Sequence, residues 1–522
     1  MSDLISDTPT PAPAGRTPLF EGAEWNFATL RQAYDAIHDV AVNDLGLDIY
    51  PNQIEIITAE QMLDAYSSVG MPLMYRHWSF GKRFVQDDAM YKRGLQSLAY
   101  EIVINSNPCI SYNMEENTMT MQTLVMAHAA FGHNHFFKNN YLFQQWTDAE
   151  GILDYMKFAK DFISQCEERY GLEQVEMTLD SAHALMDHGV NRYARPRKPN
   201  YRREEQRMKE RLEHAEQSVN VLWSTLPAKP EAKEIPLSEE EREEQRRLLG
   251  LPEENILYFL EKHSPFLHPW QRELIRIVRN IAQYFYPQKQ TKVMNEGCAT
   301  FVHYTIMNIL YDRGQLTDGA MLEFIDMHAR VVMQPEFDKP YYGGINPYAL
   351  GFAMMQDIRR ICEEPTPEDR EWFPDIAGCG DWRGTLRDIW ANFRDESFIQ
   401  QYLSPHLIRK LRLFMVHDDA ARADLMINAI HDERGYRRIR QALAQQHDLS
   451  YREPNIQVAD ADLRGTRQLL LKHFVHNGVP LEEREARSVL THVSRLWGYA
   501  VRLQGVDQET GRILYEFAAP AP

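Results

Sequence analysis

The segment from Met126 to Asn140, MAHAAFGHNHFFKNN, constrains this chain more than any other. It is a helix-period apolar run that carries His128, His133 and His135. On an ideal helix each residue advances about 100°, so His128 and His135, seven apart, lie within roughly 20° of each other, whereas His128 and His133 are separated by about 140°. One straight helix therefore cannot aim all three rings at one point. A local break or π-bulge at Gly132 would bring His133 round. A second segment, Val293 to Tyr304 (VMNEGCATFVHY), repeats the pattern. Glu296 and His303 are seven apart and share a face, and Gly297 and Ala299 would let another helix approach closely. Two helices that each present two potential ligands along a stripe meet the requirement for a buried metal site in a helical core.

The donor types, imidazole and carboxylate, suit a divalent metal, zinc first and otherwise iron or manganese. The candidate ligands are His128, His133, His135, Glu296 and His303. The pattern is not the HExxH of zinc peptidases, because Ala129 follows His128 and the spacing is five and seven rather than four. The run Asn295 to Ala299 does resemble the Glu-Gly-x-Ala helix that supplies a glutamate ligand in some helical metallopeptidases. A bland reading stands beside this one: core histidines hydrogen-bonded to backbone and aromatic neighbours.

Two further clusters carry chemistry-bearing residues. In Asp187-His188-Gly189, Asp187 suits a carboxylate that orients a ring and His188 a general acid or base. The alternative is a helix C-terminus with Gly189 just past its end. Met74 to Phe84 interleaves Tyr75, Arg76, His77, Trp78, Lys82 and Arg83. That mixture suits binding of a carboxylate, phosphate or sugar, with Arg192 as a further binding candidate, and equally suits packing between parts of the fold. The chain carries no P-loop, dinucleotide fingerprint, GxSxG elbow or kinase signature.

Around these segments the chain reads as mainly α (α+β), with a large helical N-terminal and central domain holding the His/Glu-rich core and a small α+β C-terminal domain. Helices are expected at 25–46, 58–69, 121–143, 149–170, 173–186, 270–286, 295–313, 317–331, 386–398, 418–446 and 482–497, with another starting at Pro347. The segment 101–110 is strand-like, with a bend over 113–118. Strands are expected at 456–460 and 469–475, and a closing hairpin at 499–504 and 512–517. The domain reading is a disordered lead over 1–16, a first helical part at 17–194, a charged linker or insertion at 195–251, a second helical part at 252–400 and the C-terminal domain at 401–522. Ser238 to Glu241 is expected to form a capping box for a short charged helix in the insertion.

Net charge is −18, which argues against a nucleic-acid partner, since phosphate binding needs a basic surface. The five cysteines form no CxxC pair, so neither a disulfide framework nor a thiolate zinc site is expected, and a reducing, cytoplasmic setting fits. The first residues lack the basic and apolar regions of a signal peptide, and no apolar run reaches the ~20 residues of a membrane span.

Several of these segments together resemble one family. MYRHWSFGKRF (74–84), YEIVINSNPCISYNMEEN (100–117), AHAAFGHNHFFKNN (127–140), DHGVNRYARP (187–196), YFYPQKQTKVMNEGCATFVHY (284–304) and NPYALGF (346–352) look like SpoVR, the stage V sporulation protein R family, in its proteobacterial form. The resemblance implies a role in sporulation, stationary phase or stress. It also implies association with a PrkA-type serine protein kinase and a von Willebrand A-like protein encoded nearby. It assigns no role to any residue. Two functions follow as expectations: a metal-dependent hydrolase acting on an amide bond, or a non-enzymatic partner or regulator of the kinase system.

Overall fold

Short polar side chains set where the helices of this chain begin. Asn26 Oδ1 accepts from the Ala28 and Thr29 amides and opens the helix Phe27–Asp39. Thr118 Oγ1 accepts from Met121, and Asn346 Oδ1 accepts from Tyr348 with Pro347 in the first turn. Each satisfies an amide that the helix itself leaves unpaired. The computed structural model describes residues 17–68, 71, 74–75, 77–79, 82, 101–192, 203, 206–210, 239–336, 339, 342–417, 426–429, 431–463, 465–476 and 478–522. The expected lead over 1–16, most of the expected insertion, Arg76 and Arg83 lie outside them.

The chain divides into two compact units that interleave in sequence. The first takes in the residues up to 72, 80–141 and 291–442. It holds a three-stranded sheet in the order β1-β3-β2, with β1 at Asn52–Ile57, β2 at Glu101–Ile104 and β3 at Cys109–Met114. β1 runs parallel to β3, and β2 runs antiparallel to it with Glu101 opposite Asn113. The strand-like reading of 101–110 thus corresponds to β2 and the start of β3, while β1 was not anticipated. β2 packs against the histidine segment. That segment is three pieces rather than one helix: α-helix Met119–Met126, a π-helical stretch Ala127–His133, and α-helix Asn134–Asn139.

The helix Lys292–Asp312 lies between the π stretch and the helix Pro347–Glu363. Glycines make these approaches possible. A Cβ on Gly132 would stand 2.5 Å from Ala299 Cα, and one on Gly297 would stand 2.6 Å from Gly351 Cα. The expected helix over 386–398 is two, Trp382–Asn392 and Asp395–Tyr402, because Phe393 and Arg394 are extended and Ser397 caps the second start. The expected helix over 418–446 also needs correction. Met426–Ala429 is β5, paired antiparallel with β4 at Met415–His417. The helix begins only at Glu433, after Asp432 Oδ1 accepts from the Gly435 amide.

The second unit comprises 73–79, 142–290 and 443–522. Its helices include Ile152–Tyr170, Leu172–His183, Ile256–His263, Pro269–Gln290 and Glu483–Trp497. Its sheet has the order β6-β7-β8-β9, with β6 at Asn455–Ala461, β7 at Leu469–Val475, β8 at Val501–Asp507 and β9 at Ile513–Ala519. β7 alternates buried and half-buried residues, the signature of a strand with one face on a core. β7 and β8 are parallel, which requires a crossover, and the helix Glu483–Trp497 supplies it before ending at Gly498 with φ 85°. β8 and β9 form the expected closing hairpin. The chain is therefore mainly helical with small sheets. Among the described residues no helix is long and apolar enough to cross a membrane.

Candidate metal centre

The π turn solves the spacing problem posed by the sequence. Its i→i+5 hydrogen bonds place residues five apart one above the other. His128 and His133 are thereby brought together, with ring centroids 4.6 Å apart. The turn carries Ala127, Ala129, Ala130 and Gly132 among its seven residues, and Gly132 lets it lie directly on Ala299. The same insertion shifts the phase of everything downstream. His135 consequently leaves the stripe it would share with His128 on a straight helix. Its Nδ1 lies 2.9 Å from the Asp48 carbonyl and its ring meets Trp390 edge-on at 5.6 Å. The structure does not bring His135 to the cluster.

Glu296 reaches the pair from the helix Lys292–Asp312. The start of that helix is held by Asp395, whose carboxylate accepts from the Val293 and Met294 amides at 2.8 Å each. Glu296 Oε2 lies 3.5 Å from His133 Nε2 and 3.8 Å from His128 Nε2, yet makes no hydrogen bond. Glu101, the first residue of β2, places Oε1 3.5 Å from His128 Nε2. The candidate ligand atoms of Glu101, His128 and His133 all lie within 4.8 Å of one another. The two imidazoles are almost fully covered, while the Glu101 and Glu296 side chains keep 19% and 18% of their surface, so access is from the carboxylate side.

A second layer orients the rings. His133 Nδ1 is 2.9 Å from Asn295 Oδ1, and His128 Nδ1 is 2.9 Å from His303 Nδ1. With each Nδ1–H donating outward, both Nε2 lone pairs face the carboxylates, the arrangement a ligating histidine needs. His303 continues to His328 through Nε2 at 3.0 Å. It stands behind His128 and not among the facing donors. The Tyr348 phenol donates to Glu296.

The charges in this cluster are pushed apart. Burial raises the Glu101 carboxyl above its usual range, the Glu296 charge adds to that, and His128 opposes it. Burial acts upward on Glu296 too, but His133, His128 and Tyr348 outweigh it and hold its carboxyl low. Burial disfavours charge on His128, yet the two carboxylates win and raise it. Burial takes His133 down to about 4, leaving it neutral.

The other residues singled out from sequence lie elsewhere. Asp187 and His188 belong to the second unit, in a short 3₁₀ turn, where Asp187 pairs with Lys289 instead of a histidine ring. Burial pushes His188 down to about 4. Gly189 has φ −95°, so it is not a left-handed helix end; its lack of a side chain matters because a Cβ would sit 2.9 Å from Leu257 Cδ1. Arg192 donates to the Pro454 carbonyl at 2.9 Å. Tyr75 Oη meets His183 Nε2 at 2.5 Å, His77 Nε2 lies 3.1 Å from Asp180, and Trp78 Nε1 donates to Asp180 at 2.7 Å. Lys82 is exposed. Sequence reasoning missed Glu101, Tyr348, Asn295 and His328. The available signal for Glu101 was a lone carboxylate opening an otherwise apolar strand.

Fold and centre together define a class: a mainly helical protein with a small β-rich tail and a buried cluster of two imidazoles and two carboxylates. Residues 24–452 match the family described as SpoVR like protein, and residues 454–508 match the SpoVR-like C-terminal domain. The chain belongs to the SpoVR family. It is 55% identical over 504 residues to the Escherichia coli (strain K12) protein named Uncharacterized protein YcgB, covering 97% of each chain. No solved structure matches it.

Proposed function

We propose that this chain is a metal-dependent hydrolase acting on an amide bond, with the ion held by His128, His133 and Glu296. The observation that carries the reading is the set of donor separations. Donors ~2.0–2.2 Å from a tetrahedral ion stand roughly 3.3–3.6 Å apart. The separations of 3.5 Å (His133 to Glu296) and 3.8 Å (His128 to Glu296) fall at or near that edge length. They are also too long for hydrogen bonds, and they leave Glu296 Oε2 buried without one. The donor set suits zinc, with iron and manganese as the other fits.

The contrast between the carboxylates supports distinct roles for them, as paired groups with opposed shifts have elsewhere. Glu296 stays ionised and ligates. Glu101 holds a proton more readily and is the general base: it takes a proton from the attacking water and returns it to the leaving amine nitrogen. Tyr348 keeps Glu296 ionised and oriented. Asn295 and His303 fix the tautomers of His133 and His128. A divalent ion there would polarise the substrate carbonyl and acidify the water.

The test uses the purified full-length chain. Elemental analysis, as purified and after addition of Zn²⁺, Fe²⁺ or Mn²⁺, is expected to find about one ion per chain. Against a panel of fluorogenic amides, Glu101→Gln is expected to keep the ion and lose ~10²–10⁴-fold in turnover. A chain that binds none of the three ions refutes the centre. A loaded chain whose Glu101→Gln variant turns over normally refutes the assignment of the base.

A further inference from the structure

Outside the histidine cluster, a pair of cysteines is brought together by a loop. The helix Pro347–Glu363 ends beside Cys362, which is buried. The chain then returns so that Cys379 lies against it. The return is held by two backbone bonds, Gly378 N to Ile361 O and Gly380 N to Cys362 O, each 2.9 Å. Both flanking glycines are left-handed, with φ of 78° and 74°. Only glycine takes that conformation without strain, so the Gly-Cys-Gly sequence fixes where Cys379 is presented.

The thiols share one partner. Cys362 Sγ donates to Thr385 Oγ1 at 3.7 Å, and Cys379 Sγ lies 3.8 Å from the same oxygen. Thr385 in turn donates to the Asp381 carbonyl at 2.9 Å, so its lone pairs are free for the sulfurs. The thiols also contact each other. Cys109, Cys166, Cys298 and Cys362 are buried, and Cys379 is exposed. An outer thiol that solvent reaches and an inner thiol that waits behind it is the arrangement of an attacking and a resolving cysteine.

We propose that Cys362 and Cys379 form a reversible intramolecular disulfide, a redox-modification site whose oxidant is hydrogen peroxide. The Cys379 thiolate attacks the peroxide O–O bond. Its sulfur becomes a sulfenic acid, and the departing oxygen leaves as water after taking a proton. The Cys362 sulfur then attacks the Cys379 sulfur, the S–S bond forms, and the sulfenic hydroxyl leaves as a second water with the Cys362 proton. Two thiols and one peroxide give one disulfide and two waters. An external dithiol reverses the change. Burial, reinforced by the neighbouring thiol, pushes Cys362 up to about 12. The second step therefore accelerates as pH rises, since the thiolate is the reactive form.

Native maleimide labelling reads the outer thiol in the intact chain. The reduced protein is expected to label at Cys379. Stoichiometric hydrogen peroxide is expected to remove about nine-tenths of that labelling, lower the intact mass by about 2 Da, and be reversed by dithiothreitol. Non-reducing peptide mapping is expected to join the Cys362 and Cys379 peptides. In Cys362→Ser the 2 Da loss disappears and Cys379 accumulates sulfenic or sulfinic acid. An oxidised wild-type chain that carries sulfinic acid at Cys379 with Cys362 still free overturns the proposal. So does one that forms only disulfide-linked dimers, and so does unchanged labelling.

Discussion

Substituting Gly132 by alanine tests the link between helix packing and the proposed metal centre with a single methyl group. The added Cβ would stand 2.5 Å from Ala299 Cα, 2.9 Å from Ala299 Cβ and 3.3 Å from the Ala299 carbonyl oxygen. Carbon atoms in ordinary contact are about 3.5–4.0 Å apart, so the crossing must open by roughly 1 Å or more. Backbone lies on both sides, and no side-chain rotation relieves the clash. His128 and His133 ride on one partner of this crossing and Glu296 on the other. A 1 Å opening would take the 3.5 Å gap between Glu296 and His133 beyond the ~3.3–3.6 Å edge of a tetrahedral site.

Overpacking of this kind costs about 1–3 kcal/mol. In a unit of this size that lowers the midpoint of thermal unfolding by ~2–12 °C. Metal affinity is expected to fall by at least about tenfold, since coordination tolerates only ~0.2 Å of error. The assays are calorimetry with and without added Zn²⁺, and metal retention after dialysis against a weak chelator. Gly343→Ala, where nothing lies within 4 Å of the new methyl, is the control. A Gly132→Ala chain that matches this control in both assays refutes the packing argument. A chain that melts lower but holds its ion as firmly as wild type refutes the coupling between crossing and centre.

His133→Gln is expected to abolish stoichiometric metal, whereas His135→Gln leaves metal content unchanged and lowers stability by ~1–3 kcal/mol through its lost contact with Asp48; elemental analysis and calorimetry of the pair separate the two histidines. In the second unit Glu261 is buried against Arg276, whose Nη2 and Nε donate at 2.7 and 2.9 Å, with Arg279 Nε 3.2 Å away. Burial works against its charge, but these cations and Lys262 hold the carboxyl down at about 2 against an ordinary 4.5. Its folded value is depressed, so its contribution, on the order of 3 kcal/mol, is present above pH 4.5 and is lost as pH falls toward 2. Urea midpoints measured across that window should fall for wild type. Glu261→Gln should start about 3–5 kcal/mol lower at neutral pH, from buried cations left unpaired, and show a flatter acid limb; a parallel acid limb would contradict this account.

Much of this architecture was legible because its causes are local. The alternation of 469–475 and the apolar stripe of 482–497 are set by residues a few positions apart, and β7 and the crossover helix appear where those patterns place them. The reading failed where the cause was distant. Met426–Ala429 is too short to show a period, and its strand state depends on Met415–His417. His128 and His135 share a face only if the helix between them is uniformly α, and the turn is instead π where Gly132 meets Ala299. Glu101 is the clearest case. Its strand reading was correct, but its place beside His128 comes from the packing of β2 against the π stretch, which no local pattern encodes.

That distribution has a consequence for how the centre comes into being. In an HExxH helix one turn supplies two ligands and the base, so most of the site exists once that helix forms. Here Ala129 occupies the position of that base. The two histidines sit one π turn apart, Glu296 arrives from a helix far along the chain, and Glu101 arrives from a strand whose pairing with β3 must already be made. None of the three segments holds a convergent donor set alone. The proposed ion, requiring all of them, would bind only the folded first unit and so would add its binding free energy to the stability of that unit. Without an ion, Glu296 Oε2 is left buried without a hydrogen bond, which weakens the same packing. The π turn, the glycine crossing and the sheet edge therefore stand or fall together, and binding of the proposed ion would report whether they have met.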